Sequence, residues 1–499
     1  MRRFLAILLL LSGICNAGKA FEVRAVYVDC RTQVMTMPAL KAFANQAAAG
    51  GMNAIVMEWE ATFPFRNNAT LCNSLAYTEE EVNDFIGYCS RIGIEVIPLQ
   101  NCFGHCEYIL RHERYAGLRE DSKDLSQVCP LKFAEASLTF GSIFEEIASV
   151  HPSRYIHIGC DETRLLGHDK ACSAYVDEHG KSRLFVEYVA RMCELVHKLG
   201  KTPIIWGDIL LAYPEAASLL PSDIVVVDWN YGWKPDRFGD IDKLLLQGIT
   251  MWGASALRSS PDNIYLTQWQ KHLDNIRDYV PFCRKKGFKG IIETSWSTSG
   301  QYGYVMDQNS VIALQPIREV YPAVAFGMPL TAFFQAVNEG KTPGDSFVKD
   351  YAAGHFGLDG SGAEVMVRYF AMGQTPVTGK KYNVDFISGV LSVAEQMRKD
   401  LMTVRPKRNK ADFRHLALML DIRINYLKFK VLECRFESAS FDASQKEEIA
   451  SGLRRMLDDA QKLQKRFVRL NKDFLKDPSI PLGDTSYIGK MKELYAICK

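Results

Sequence analysis

From Phe21 onward, short β-branched runs alternate with longer stretches of helical periodicity, and the alternation continues for eight rounds. That rhythm implies parallel strands, because each strand must be re-entered from the same end after a helical crossover. Strands are predicted at residues 23–28, 54–57, 95–99, 155–158, 203–206, 224–229, 249–252 and 290–294. Helices are predicted at 38–49, 79–92, 133–150 and 184–199, with Gly50, Gly93 and Gly200 as stops. Eight such units in about 300 residues match a (β/α)8 TIM barrel, whereas an open doubly wound sheet would need fewer strands.

After about Gly340 the strand runs stop. Ile449, Leu453, Met456, Ala460, Leu463, Phe467, Leu470 and Phe474 recur at helical spacing, and 416–429 forms a second apolar helical run. The expected organisation is therefore an export signal over 1–20, a catalytic α/β barrel over 21–338 and an α-helical C-terminal domain over 339–499. Arg2 and Arg3 precede the apolar run from Phe4 to Leu11, and small residues follow at Ala17, Gly18 and Ala20. This is the pattern of a secretory signal, so a periplasmic or extracellular location is expected. No later stretch reaches the roughly 20 apolar residues that span a bilayer. A net charge of +2 offers no electrostatic footprint for nucleic acid or an anionic membrane, and neither is expected as a partner. The basic residues around Arg398–Lys410 read as a solvated face.

Thirteen cysteines are present, and Cys15 falls within the signal. Buried free thiols are the expectation for most of the others. Cys102 and Cys106 flank His105, but no second Cys/His cluster supplies the rest of a four-ligand set, so no structural metal is expected.

A TIM barrel carries its chemistry at the C-terminal ends of its strands. Asp29, Glu58, Glu60, Gln100, Asp161, Glu162, Asp208, Asp228, Trp229, Trp252 and Trp296 fall at or near those ends. Carboxylates beneath an indole-lined mouth are suited to a carbohydrate, whose C–H faces stack on aromatic rings while its hydroxyls seek acceptors. Taken singly, Asp161 could cap a helix and Glu162 could be solvated. The segment His157-Ile158-Gly159-Cys160-Asp161-Glu162, at the end of the fourth strand, resembles the His-x-Gly-(Gly/Ala/Cys)-Asp-Glu signature of glycoside hydrolase family 20. The blocks around Glu58–Phe65, Pro98–His105 and Trp252–Ala256 are similar to the hexosaminidase D branch of that family.

The resemblance implies an exo-acting β-N-acetylhexosaminidase without a cofactor, acting on glycans that end in N-acetylglucosamine or N-acetylgalactosamine. It implies retaining hydrolysis in which the substrate's 2-acetamido oxygen attacks the anomeric carbon and forms an oxazolinium. Glu162 would be the general acid and base, which calls for a carboxyl kept protonated near neutral pH, and Asp161 would hold the acetamide N–H. His105 matches a histidine that supports the acid. Trp206, Trp229, Trp252 and Trp296 are the expected pocket aromatics, and Asp208 is a candidate for a sugar hydroxyl. Arg24 corresponds to an arginine that binds the 3- and 4-hydroxyls, although an internal salt bridge explains it equally well. The family's strand-seven tyrosine is missing, leaving Tyr302 and Tyr231 as candidates to hold the acetamide carbonyl. Two other readings stay open: a sugar-binding barrel without turnover and a metal-dependent barrel hydrolase. Gluco or galacto preference and oligomeric state are not encoded in any motif.

Overall fold

A computed structural model of the chain describes residues 21–298 and 319–499, together with the backbone of the hairpin strands Tyr302–Met306 and Ile312–Pro316. The expected signal at 1–20 and the side chain of Tyr302 lie outside the described residues. Eight parallel strands close into a barrel in sequential order: β1 (Val23–Asp29), β2 (Ala54–Glu58), β3 (Glu95–Leu99), β4 (Tyr155–His157), β5 (Thr202–Trp206), β6 (Val225–Trp229), β7 (Thr250–Arg258) and β8 (Gly290–Ser295). Closure is made by β1 against β8, with Ala25 opposite Ile292.

Local signals set the crossovers. Thr36 caps the helix Met37–Ala49 through a bond from the Ala39 N–H, with Pro38 in its first turn. Thr78 and Glu81 form a reciprocal capping box at the start of Glu79–Arg91. The last barrel helix, Gly327–Glu339, returns to the first: Asn338 Nδ2 donates to the Gly50 carbonyl over 2.6 Å.

The strands alternate strictly. Ala25, Tyr27, Val56, Leu99, Ile204, Trp206, Val227, Trp252 and Ile292 fill the barrel interior, while their neighbours face the helices. Strand β7 runs well past the expected Trp252 end, to Arg258. Trp252 therefore lies deep in the interior, 1% exposed, edge-on to Tyr155 at the first position of β4. It covers Gly290, where a Cβ would come within 2.6 Å of its ring. Its expected place in the sugar pocket is thus corrected: it plugs the opposite end of the barrel.

Beyond residue 340 the chain is helical: Phe347–Phe356, Gly360–Ala371, Val384–Thr403, Lys410–Phe436, Lys446–Asn471 and Tyr487–Cys498. Their buried residues join the barrel's outer layer in one continuous apolar cluster. Main-chain bonds fasten the two regions, from Thr36 N to Phe474 O (2.9 Å) and from Lys476 N to Val34 O (2.8 Å). Among the described residues, no helix is long and apolar enough to cross a membrane.

Candidate active site

The chain leaves β4 through an abrupt turn. Gly159, Cys160 and Glu162 have φ of 72°, 76° and 49°, in the left-handed region. Glu60 and His105, after β2 and β3, are also left-handed. Of the non-glycine residues in this conformation among the described residues, all but Asn409 sit at this mouth. Each costs on the order of 1–3 kcal/mol and persists only where its surroundings enforce it. The enforcement is visible. Asp208 Oδ2 accepts from the Glu162 N–H over 3.0 Å, and the loop after β3 presses in so closely that a Cβ on Gly104 would lie 2.2 Å from the Asp161 carbonyl oxygen. The turn carries the adjacent Asp161 and Glu162 side chains to one histidine.

That histidine is His105. Its Nε2 lies 3.3 Å from Asp161 Oδ2 and 3.4 Å from Glu162 Oε2. Burial opposes its charge, but the two carboxylates prevail and raise its pKa well above the usual value. Asp161 is 8% exposed and its second oxygen, Oδ1, has no hydrogen-bond partner among the described residues. Burial and the neighbouring Asp161 push Asp208 up to about 7. Glu162 behaves contrary to the expectation of a carboxyl kept protonated. Burial would raise it, but His105 and Arg164, whose Nη2 is 2.7 Å from Glu162 Oε1, hold it down at about 2. The two flanking cations favour the ionised form of Glu162.

Aromatic rings make the floor. Tyr27 lies 4.8 Å from Trp296 and 6.3 Å from Trp206, ring to ring, and Trp206 lies 6.1 Å from Trp296. Trp229 and Tyr231, at 5.2 Å, continue the wall, with Tyr231 6.3 Å from Trp296. Tyr231 thus reaches the mouth, as one of the two tyrosines expected there.

Arg24 does not. It is the second residue of β1 and points out of the barrel, where Nε donates to Gly51 O (2.8 Å) and Nη1 to Phe21 O (2.9 Å). It points away from the mouth where a sugar contact was expected, and it makes no salt bridge among the described residues; the outward phase of the strand decides it. Asp228, also outward, accepts from Tyr279 OH over 2.6 Å. A second arginine at the mouth, besides Arg164, is Arg31, which the sequence reading passed over. It forks onto both oxygens of Asp29 at 3.1 Å, lies 3.6 Å from Glu58 and stands 5.2 Å over the Trp296 ring. Against the cost of burial it holds Asp29 ionised, while burial leaves Glu58 raised. Tyr27, which donates to Glu58, was missed as well. The available signal was an Asp-x-Arg step just past a strand end, and strand parity for Tyr27.

The twelve described cysteines are free thiols, all buried but the half-buried Cys72. Cys102 and Cys106 do not join His105: Cys102 Sγ faces Cys160 Sγ at 3.9 Å, and Cys106 Sγ donates to the Gly104 carbonyl. Glu120, Cys129 and Cys172 place possible ligand atoms within 4.8 Å of one another. Glu120 is already engaged there by the His168 and Asp169 N–H groups, at 2.8 and 2.9 Å.

Comparison with known proteins agrees with this geometry. Residues 31–299 match the family model for the glycosyl hydrolase family 20 catalytic domain. Hexosaminidase D of Homo sapiens is 27% identical over 313 residues, covering 58% of this chain and 63% of that protein. Hexosaminidase D of Bos taurus is 29% identical over 268 residues, covering 49% and 76% respectively. The chain thus spans less than two thirds of the human relative's length. The chitobiase structure of Flavobacterium johnsoniae superposes with a TM-score of 0.52 at 15% identity, over 96% of this chain and 71% of that one, a likeness of fold. The matched span contains His105, Asp161 and Glu162 with Trp206, Trp229 and Trp296, and the chain belongs to glycosyl hydrolase family 20.

Proposed function

We propose that this protein is an exo-acting β-N-acetylhexosaminidase that removes terminal N-acetylglucosamine or N-acetylgalactosamine with retention, through an oxazolinium intermediate. The observation that carries the reading is the Asp161–His105–Glu162 cluster at an indole-lined mouth, with Asp161 Oδ1 lacking a partner among the described residues. In this reading the substrate's acetamide N–H donates to Asp161 and its carbonyl oxygen attacks the anomeric carbon. The carboxylate stabilises the positive charge that develops on the ring being formed. Glu162 passes a proton to the leaving glycosidic oxygen, then takes one from the incoming water. Trp206, Trp229 and Trp296 enclose the acetamido group, with Tyr231 the described tyrosine placed to meet its carbonyl, and Asp208 is available to a sugar hydroxyl. No step uses a metal or cofactor. The basic start followed by an apolar run supports export to the periplasm or outside the cell, which fractionation would test.

The deciding experiment compares matched 2-acetamido and 2-hydroxy aryl glycosides, gluco and galacto, with and without a chelator. Loss of a well-oriented internal nucleophile removes on the order of 7–11 kcal/mol, so the 2-hydroxy partners should be turned over many orders of magnitude more slowly. Comparable rates for the two would mean that a protein carboxylate is the nucleophile. Inhibition by chelator that added metal reverses would favour the metal-dependent reading.

A further inference from the structure

Arg164 stands two residues beyond Glu162 in the loop that leaves β4. Its N–H donates to the Glu162 carbonyl over 2.7 Å, and its guanidinium reaches Glu162 Oε1 over the same distance. The other carboxylate oxygen, Oε2, faces His105. Among the described residues, Asp208 and Tyr231 also face Glu162 electrostatically, with Asp161 adjacent in the chain. The two cations differ in their freedom. The His105 side chain is 14% exposed and wedged between two carboxylates, whereas that of Arg164 is 65% exposed. Exposed ion pairs are weakly held, so Arg164 can leave while His105 stays. Of the two carboxylate oxygens, Oε1 is the one whose partner is solvent-exposed, which makes it the oxygen accessible to an entering glycosidic oxygen.

We propose that Arg164 is a positioning residue that holds the proton-donating oxygen of Glu162 and is displaced from it by the leaving-group saccharide. The kinetic part of this inference rests on the hexosaminidase reading. With Arg164 in place the carboxylate is kept from accepting the proton it must later donate. Withdrawal leaves His105 beside Glu162 without its second described cation and lets the carboxyl gain that proton, so aglycone entry and acid activation are linked.

The test compares wild type, Arg164→Ala and Arg164→Lys by two measurements. Carboxyl 13C NMR, with the Glu162 resonance assigned by its loss in Glu162→Gln, follows the titration without any need for turnover. In Arg164→Ala, Glu162 should titrate about one pH unit higher than in wild type, equivalent to a tenfold change in its protonation constant. Arg164→Lys should stay near wild type. On aryl N-acetylhexosaminides with poor leaving groups, the alkaline limb of kcat/KM should move upward by a similar amount in Arg164→Ala. Dinitrophenyl substrates, which need no acid, should show no such movement. An unmoved Glu162 titration overturns the inference, and so does a moved titration with an unmoved alkaline limb. If the titration moves but wild type hydrolyses no N-acetylhexosaminide, the pairing stands and the hexosaminidase reading is what fails.

Discussion

His105 and Glu162 are tied to each other in both charge and stability. Glu162 sits at about 2 rather than its ordinary value of 4.5, so its pairing stabilises the fold above about 4.5 and is lost as pH falls through 2. His105 is raised, so its share is present below its ordinary value and lost as pH climbs through the raised one. The shared contact is at full strength only between those limits. His105→Asn should therefore flatten the acid limb of thermal stability, measured as Tm between pH 2 and 7, relative to wild type. An acid limb that keeps its slope would mean the pairing contributes nothing to folding. At this scale the sequence was readable where a motif named the residue: Asp161, Glu162 and His105 all meet. It was not readable where orientation decided the role. Arg24 and Arg31 are both arginines near β1, and only the fold shows that the first bonds Gly51 and Phe21 while the second stands over Trp296.

The element that shapes the site is the turn after β4, and its conformation is imposed from outside. Gly159 lies against Asn101, where a Cβ would approach Asn101 Oδ1 to 2.1 Å, and Gly104 lies against the Asp161 carbonyl. Asn101 in turn donates to Glu58 Oε1 over 2.7 Å, so the ends of β2, β3 and β4 lock together. Gly104→Ala meets backbone, which cannot rotate aside, and should cost about 1–3 kcal/mol in urea unfolding. It should also lower kcat, because the displaced carbonyl belongs to Asp161. Stability within experimental error of wild type would show that the loop has room to relax. Most strands were legible from their β-branched runs. Strand β7 was read too short because Gly253, Ala254, Ser255 and Ala256 have little strand propensity, and their extended form is paired against β8. That misreading put Trp252 at the wrong end of the barrel.

Across the whole molecule, the C-terminal helices and the barrel share one apolar core, so they should melt together. Phe467, 0% exposed, packs edge-on at 5.5 Å against Tyr321, whose hydroxyl in turn pairs with His415 Nδ1 at 2.9 Å. Phe467→Ala should cost about 3–5 kcal/mol and lower a single cooperative transition in calorimetry. Two separated transitions, with only one displaced, would show that the helices unfold independently. The sequence by itself determined the eightfold βα alternation, the helical C-terminal region and the place of the Asp-Glu pair at a strand end, because propensity, periodicity and caps act within a few residues along the chain. Only the tertiary structure decided which strand-end side chains face the mouth, that Arg31 and Tyr27 join it while Arg24 and Trp252 do not, and that Glu162 is held ionised. Those outcomes depend on the true phase and length of each strand, on loops meeting from distant segments and on cations brought close in a buried setting, and the local traces of them, such as the Asp-x-Arg step at Arg31, do not by themselves say which side chains meet.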